Sequence, residues 1–459
     1  MDMALRTHCR TKINMLETNI KSTDLKLTQN SYYAASANEQ PAYPKLQGDI
    51  EADVCVVGGG FAGLSAAIEL ADRGYSVAVL EANHIGFGAS GRNGGQIIAG
   101  LACEQDVIEN ALGFEAAKQV WGMTLEALDL VRERVKRFEI KCDLTDGFLG
   151  VSVGGRKGEK LRNWFDGMAK KYHYDSDATW IEPAHISKWI DSPRYFNGYY
   201  DKRSGHLHPL NYCLGLARGA ASLGVKIFQH SPVEAMQQGE TVSLQTGTGN
   251  IKAKFAVLAG NMYLPEVSPK LAPDLTRRIM PVGTYIIATE PIAPKLAAKL
   301  IPTNSAVCDT NFILDYFRFS ADHQFNKSRM IFGGRVSYSA MTPHNLTASM
   351  QARMAAAFPQ LVNTKIDYTW GGFVDISMNR APDFGRIAPN VYYLQGFSGH
   401  GVALAGLAGK LVAEAISGQT ERLDLFARIK HHDFPGGKLM RMPALVLGMA
   451  WYRLRDALG

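Results

Sequence analysis

Cysteine is sparse in these 459 residues and never paired along the chain. The six, Cys9, Cys55, Cys103, Cys142, Cys213 and Cys308, stand singly, with no C-x-x-C. That spacing excludes a zinc knuckle and a vicinal redox pair, and it fits a reducing cytoplasm. Cys55 falls in an apolar run and reads as a small buried hydrophobe. No H-x-x-H, metal-ligand cluster, Walker loop or Ser-His-Asp arrangement stands out, so no metal is expected and the side chains alone do not supply hard chemistry. No stretch reaches the roughly 18 apolar residues of a membrane span. The first thirty residues are polar and lack the hydrophobic core of a secretory signal. Glu17 and Asp24 oppose a transit peptide, and Met15 offers an alternative start. The net charge of +6 includes no block of like charges, which argues against a dedicated nucleic-acid binder. No internal repeat is evident. What is present, 46% hydrophobic and 20% charged residues, can bury a large core in at most about three domain-sized units.

The informative stretch is 53–96, DVCVVGGGFAGLSAAIELADRGYSVAVLEANHIGFGASGRNGGQ. Val54, Val56 and Val57 form a strand-like run. Gly58, Gly60 and Gly63 follow at the G-x-G-x-x-G spacing. A helical pattern then starts at Leu64, runs through Ala67, Ile68, Leu70 and Ala71, and ends at Gly74, while Phe61 and Ala62, between the glycines, are assigned to the ligand. Residues 77–80 give a second strand, followed by Glu81 and Ala82. This is a βαβ unit built to set a pyrophosphate against a helix N-terminus. Gly58 allows the tight turn, Gly60 lets backbone approach phosphate, and Gly63 lets helix and strand pack closely. Glu81 can accept hydrogen bonds from both ribose hydroxyls, and its charge disfavours the 2′-phosphate of NADP. A glycine turn without a ligand is the alternative; strand, helix, second strand and acid in register favour a nucleotide.

The loop GFGASGRNGGQ at 86–96 separates FAD from NAD. An NAD domain needs nothing there, whereas a flavin needs a backbone-rich surface beside pyrophosphate and isoalloxazine. Ser90, Gly91, Arg92, Asn93, Gly94, Gly95 and Gln96 are therefore assigned to the cofactor. A flexible linker is the competing reading.

Together with SYYAASAN at 31–38, this signature resembles the D-amino-acid-oxidase-like flavoproteins, a family that includes glycine and sarcosine oxidases. Within that family it is similar to the gamma-glutamylputrescine oxidases, as are FPGG and PALVLGMAWYRLRD in the tail. The resemblance covers about the last nine tenths of the chain. It implies an α/β (α+β overall) fold, with a Rossmann-like FAD-binding domain interleaved with a mainly antiparallel-sheet substrate domain. It implies hydride transfer from a primary amine to flavin N5, giving aldehyde, ammonia and, with oxygen, hydrogen peroxide. The flavin then carries the hard chemistry. Oxidation of glycine, sarcosine or a D-amino acid is one alternative, and a dehydrogenase feeding a membrane quinone is another. Two departures matter. No cysteine follows Cys308, so the cysteinyl-flavin bond of monomeric sarcosine oxidases cannot form in its usual place, and FAD is expected to be non-covalent. The oxygen-activating lysine those enzymes carry after MIFGGR is absent from Val336, Ser337, Tyr338, Ser339, Ala340 and Met341.

Along the chain, 1–48 reads as an arm, partly disordered, with 31–48 extended over the surface. The FAD-binding domain takes 49–137, 201–270 and 366–432, the substrate domain 138–200 and 271–365, and a tail 433–459. Periodicity predicts single helices over 106–137, 157–172, 206–223 and 345–358. In the resembled family a strand lays its backbone against adenine, and Val233 takes that place. Gly260 ends the buried run AVLAG. Strand 391–395, the turn GFSGHG and a helix from 402 aim a helix N-terminus at something negative, and the resemblance implies that Gly399, His400, Gly401 and Val402 face the flavin edge. His400 is a flavin contact or merely solvated. DYFRFS and MIFGGR read as strands that offer Tyr316, Arg318 and Arg335 to a substrate pocket, or else as core aromatics with solvated arginines. In WGGFVDISMNRAPDFGR at 370–386, Val374 stands where glycine oxidases place the arginine that grips the substrate's α-carboxylate. The apolar tail lies on a membrane surface or packs on the protein itself.

Overall fold

The computed structural model describes residues 30–311, 313–323, 326–337 and 345–435. The expectations for residues 1–29, for Tyr338 to Met341 and for the tail beyond 435 lie outside the described residues. Two sheets organise the rest. The first runs in the order Asp383–Ala388, Val391–Gln395, Gly249–Leu258, Ile50–Val57, Val77–Leu80, Lys226–Phe228. Its centre is parallel: Ile50–Val57 pairs in parallel with both Gly249–Leu258 and Val77–Leu80. These strands are nearly continuous apolar runs because both faces are covered: Val54 and Val56 pack with the helices, and Cys55 and Val57 with Val233, Val242 and Leu244. Val233–Gln237 and Val242–Thr246 extend from Gly249–Leu258 as an antiparallel layer.

The second, nine-stranded sheet is mostly antiparallel and carries the residues from 279 to 337. It also takes Gln96–Ile97, Thr145–Val151, Gly198–His206 and Ile366–Ser377. Ile366–Ser377 pairs along its whole length with Ile279–Thr289. The expected boundary at 366 is therefore displaced: that strand belongs with the second sheet, held by a ladder to residues some 90 positions earlier.

Two further expectations are corrected. The helix read over 106–137 is two, Gln105–Leu112 and Phe114–Arg137. Gly113 separates them at φ +85°, a conformation that favours glycine. The arm does not run extended over the surface at its start. Tyr32–Ala35 is a helical turn whose Tyr32 and Tyr33 rings are buried.

Candidate cofactor site

One cavity opens at the ends of the first sheet's parallel strands. Its wall contains Gly58, Gly60, Phe61 and Ala62, then Glu81 and Ala82, Ser90 and Asn93, Val233 and Gly260, and finally Gly399, Gly401 and Val402. With its mouth it encloses about 1220 Å³. Helices Phe61–Asp72 and Gly401–Ile416 both begin at this wall, so two positive dipole ends meet it.

The two helices pack backbone to backbone. A Cβ on Gly409 would lie 2.5 Å from Ala66 N and 2.6 Å from Ala62 O. Ser65 Oγ donates to Gly406 O. Arg134, buried from the neighbouring helix, donates through Nη1 to Ser65 Oγ at 2.6 Å and through Nη2 to Glu69 at 3.0 Å. The glycines of the first turn have separate tasks. Gly58 sits at φ +115°, with Ala259 O only 2.7 Å from where a Cβ would be. A Cβ on Gly63 would lie 2.0 Å from Gly58 O, so this glycine is required for packing, as its spacing implies.

Glu81 Oε2 accepts from Gly59 N at 2.7 Å and Oε1 from Asn83 N at 2.8 Å. The Ala82 N–H also bonds this carboxylate; of about four acceptor positions, one remains for a ribose hydroxyl. Burial pushes its pKa up, and the backbone N–H bonds oppose that shift. The wall also holds Asn261, whose buried Oδ1 has no partner among the described residues. Two helix heads, the Glu81 carboxylate and an orphaned buried amide oxygen on one cavity wall fit a dinucleotide such as FAD. The head of Phe61–Asp72 would hold the pyrophosphate and Glu81 the ribose.

The glycine-rich loop contributes less wall than its sequence suggests. Ser90 and Asn93 line the cavity, and Ser90 Oγ accepts from Phe61 N at 3.0 Å. Gly91, Arg92, Gly94, Gly95 and Gln96 lie outside its wall. A Cβ would lie 2.3 Å from Gly86 O at Gly91, 2.9 Å from the Tyr316 ring at Gly94 and 2.1 Å from Leu207 O at Gly95. Those glycines let the loop pack against itself, Leu207 and the Tyr316 ring. The Arg92 guanidinium lies 4.5 Å from the centre of the Phe87 ring. Gln96 Nε2 donates to Val307 O at 2.9 Å.

The substrate candidates separate. Val374 lines the cavity. Tyr316 lies outside its wall, its ring wedged between Gly94 and Gly333. Arg318 is neither in the wall nor solvated: it is 1% exposed. It donates from Nε to Gly94 O at 2.7 Å, from Nη1 to Phe319 O at 3.2 Å and from Nη2 to Tyr33 Oη at 3.1 Å. Its reading as a substrate ligand is withdrawn, because these bonds tie the guanidinium to the loop. Arg335 lies opposite Tyr285 in the second sheet; its side chain lies outside the described residues. His400 is the residue before helix Gly401–Ile416 and donates its N–H to Phe397 O, outside the cavity wall. Burial lowers its pKa to about 4, so it is neutral at pH 7.

Asp375, expected from the sequence only to repel a substrate carboxylate, lines the cavity beside Val374. Its Oδ2 accepts from Phe397 N at 2.9 Å and also from Gly396 N. Its carbonyl accepts from Ser398 N, and the Asn261 side chain also bonds its carboxyl. Asp375 thus fixes the turn that leads into the second helix head. Burial raises its pKa to about 6, against the donated hydrogen bonds. The turn Asn261–Tyr263 is the other unforeseen part of the wall, and no motif marks it. Among the described residues no His, Cys, Asp and Glu cluster could hold a metal, and no single helix is long and apolar enough to cross a membrane.

Comparison with known proteins agrees with this chemistry. The family model described as FAD dependent oxidoreductase matches residues 53–415. The gamma-glutamylputrescine oxidoreductase of Escherichia coli is 40% identical over 94% of this chain and 99% of its own length. A probable oxidoreductase of Haemophilus influenzae is 40% identical over 93% of this chain and 97% of its own. Among solved structures, glycine oxidase from Geobacillus kaustophilus superposes with a TM-score of 0.70, covering 84% of this chain and 100% of that one, at 18% identity. By that family match and the identity along nearly its whole length, this chain belongs to the FAD dependent oxidoreductase family and takes FAD as its cofactor.

Proposed function

We propose that this enzyme oxidises a primary amine without an α-carboxylate, gamma-glutamylputrescine first among them, with oxygen as acceptor and in the cytoplasm. The observation that carries the reading is Val374 in the cavity wall. Valine cannot supply the paired N–H donors that a carboxylate needs. The neighbouring Asp375 adds no donor, because its carboxyl oxygens already accept from the Gly396 and Phe397 amides and from Asn261. An α-amino acid would bury its carboxylate unpaired at several kcal/mol. Even about 3 kcal/mol is a roughly hundredfold loss in kcat/KM. The Escherichia coli relative, whose name carries gamma-glutamylputrescine, supports the particular amine.

Bound FAD supplies a two-electron acceptor for the hydride leaving the amine's α-carbon; the imine hydrolyses to aldehyde and ammonia, and oxygen takes the electrons to give hydrogen peroxide. The chain's own part is to position the amine, exclude bulk water and present an apolar wall that tolerates a neutral amine. For the distant glutamyl end we propose Arg335, since Arg318 is tied to the loop.

The test is peroxide release under air from gamma-glutamylputrescine, putrescine, glycine, sarcosine and D-alanine at equal concentration. The expected order places gamma-glutamylputrescine first, putrescine lower, and the three amino acids near zero. Glycine or sarcosine as best substrate would overturn the argument from Val374. Turnover with an artificial dye but without peroxide would replace oxygen with another acceptor.

A further inference from the structure

We propose that the arm ahead of the first strand is a clamp on the cofactor loop, with Tyr33 as the positioning residue acting through Arg318. The proposal rests on the FAD site described above. Tyr33 is fully buried. Its ring meets Trp370 edge-on at 5.1 Å and His208 at 4.8 Å. Its hydroxyl accepts from Arg318 Nη2 at 3.1 Å, while Arg318 Nε donates to Gly94 O at 2.7 Å. Trp370 in turn donates from Nε1 to Arg92 O at 3.0 Å.

The two carbonyls so held, of Arg92 and Gly94, flank Asn93, which lines the cavity. Asn93 is itself braced from within the loop, its Oδ1 accepting from Gly95 N at 2.7 Å and its Nδ2 donating to Ala89 O at 2.9 Å. A carbonyl held by a charged, buried donor is harder to rotate than one facing water. The Tyr33–Arg318–Gly94 chain therefore fixes one side of Asn93 and the Trp370–Arg92 bond fixes the other. The arm is anchored independently, by Ser36 Oγ against His208 Nε2 at 3.0 Å and by Asn38 N donating to Asn211 Oδ1 at 2.8 Å. The clamp thus joins the helix Pro209–Ser222, the second sheet and the cofactor loop through a segment outside the βαβ unit.

Tyr33→Phe removes the acceptor for Arg318 Nη2 and keeps the ring packing. Tyr32→Phe is the control. Its hydroxyl donates to Ala321 O at 2.9 Å, so the change removes a hydrogen bond of similar kind from the same helical turn without touching the loop. Each variant is prepared as holoenzyme. FAD affinity is measured by titrating the stripped protein with FAD, and the visible flavin spectrum and midpoint potential are recorded. The expected result for Tyr33→Phe is an FAD dissociation constant raised three- to tenfold, with a shifted flavin absorbance or potential. Tyr32→Phe should match the parent in all three. Unchanged affinity, spectrum and potential in Tyr33→Phe would overturn the clamp, as would equal changes in both variants, which would mark a general loss of arm packing. Failure of the parent itself to take up FAD would instead defeat the cofactor reading.

Discussion

Asp375→Asn should flatten a pH dependence that the parent shows. In the folded protein burial raises the Asp375 pKa from 3.8 to about 6. Between those values the folded state keeps a proton that the unfolded chain releases. Stability from this group is therefore highest below about pH 4, falls as pH rises towards 6, and stays low above it. A rise from 3.8 to about 6 corresponds to roughly 3 kcal/mol. In Asp375→Asn the amide oxygen can still accept from Gly396 N and Phe397 N. Its new N–H₂ group can reach Asn261, whose Oδ1 is unpartnered among the described residues, once that amide turns over. The turn is kept and the titration is gone. Asp375→Ala also removes the titration but leaves two buried N–H groups without an acceptor, at about 1–3 kcal/mol each. The assay is urea unfolding of parent and both variants, saturated with FAD, at steps from pH 4 to pH 7. Only the difference between parent and variant is read, because Asp309, also raised to about 6, titrates in the same window in all three proteins. The stability gap should move in favour of Asp375→Asn by roughly 3 kcal/mol as pH rises across the range. Curves for parent and Asp375→Asn that stay parallel would refute the reasoning.

Acid precipitation should release intact FAD into the supernatant; flavin retained in the pellet would show a covalent link. In Gly60→Val the Cβ would lie 2.8 Å from Ser90 Oγ, at the helix head meant for pyrophosphate. FAD binding should be lost with the circular-dichroism spectrum retained. Glu81→Ala should weaken FAD by about 1–3 kcal/mol, since a ribose hydroxyl loses its acceptor, and equilibrium titration would detect it. Gly409→Ala places a methyl 2.5 Å from Ala66 N and should destabilise the fold by about 1–3 kcal/mol as the helices are forced apart, read as a lower unfolding midpoint.

The βαβ unit was legible because each requirement in it is local. The glycine spacing, the helix period and the acid after the second strand lie within some thirty residues, and each acts on its neighbours in sequence. The misreadings fall where the deciding contact is distant or the pattern is blind to a break. Apolar periodicity continues through both Gln105–Leu112 and Phe114–Arg137, so only the backbone angle at Gly113 reveals two helices. Ile366–Ser377 alternates like any strand, and nothing in it announces a ladder to Ile279–Thr289. The stretch 31–48, rich in Ala, Pro and Tyr, looks like an extended surface segment until His208, Arg318 and Trp370 are brought around Tyr33.

The glycine-rich loop shows how a cofactor can be inferred from residues most of which lie outside the cavity wall. A sequence records that a Cβ is absent; it does not record what fills the space. At Gly91 and Gly95 the space is taken by backbone carbonyls, and at Gly94 by the Tyr316 ring, so those glycines serve the protein's own packing. At Gly399, φ +94°, nothing lies within 4 Å of the position a Cβ would take, and the residue borders the cavity. At Gly60 only Ser90 is near. Glycine density thus reported a loop packed closely against its neighbours, and a loop so packed can hold Ser90 and Asn93 in the wall of the cavity. A packing glycine and a ligand-facing glycine are the same letter, so the density marks the loop without saying which of its residues line the cavity.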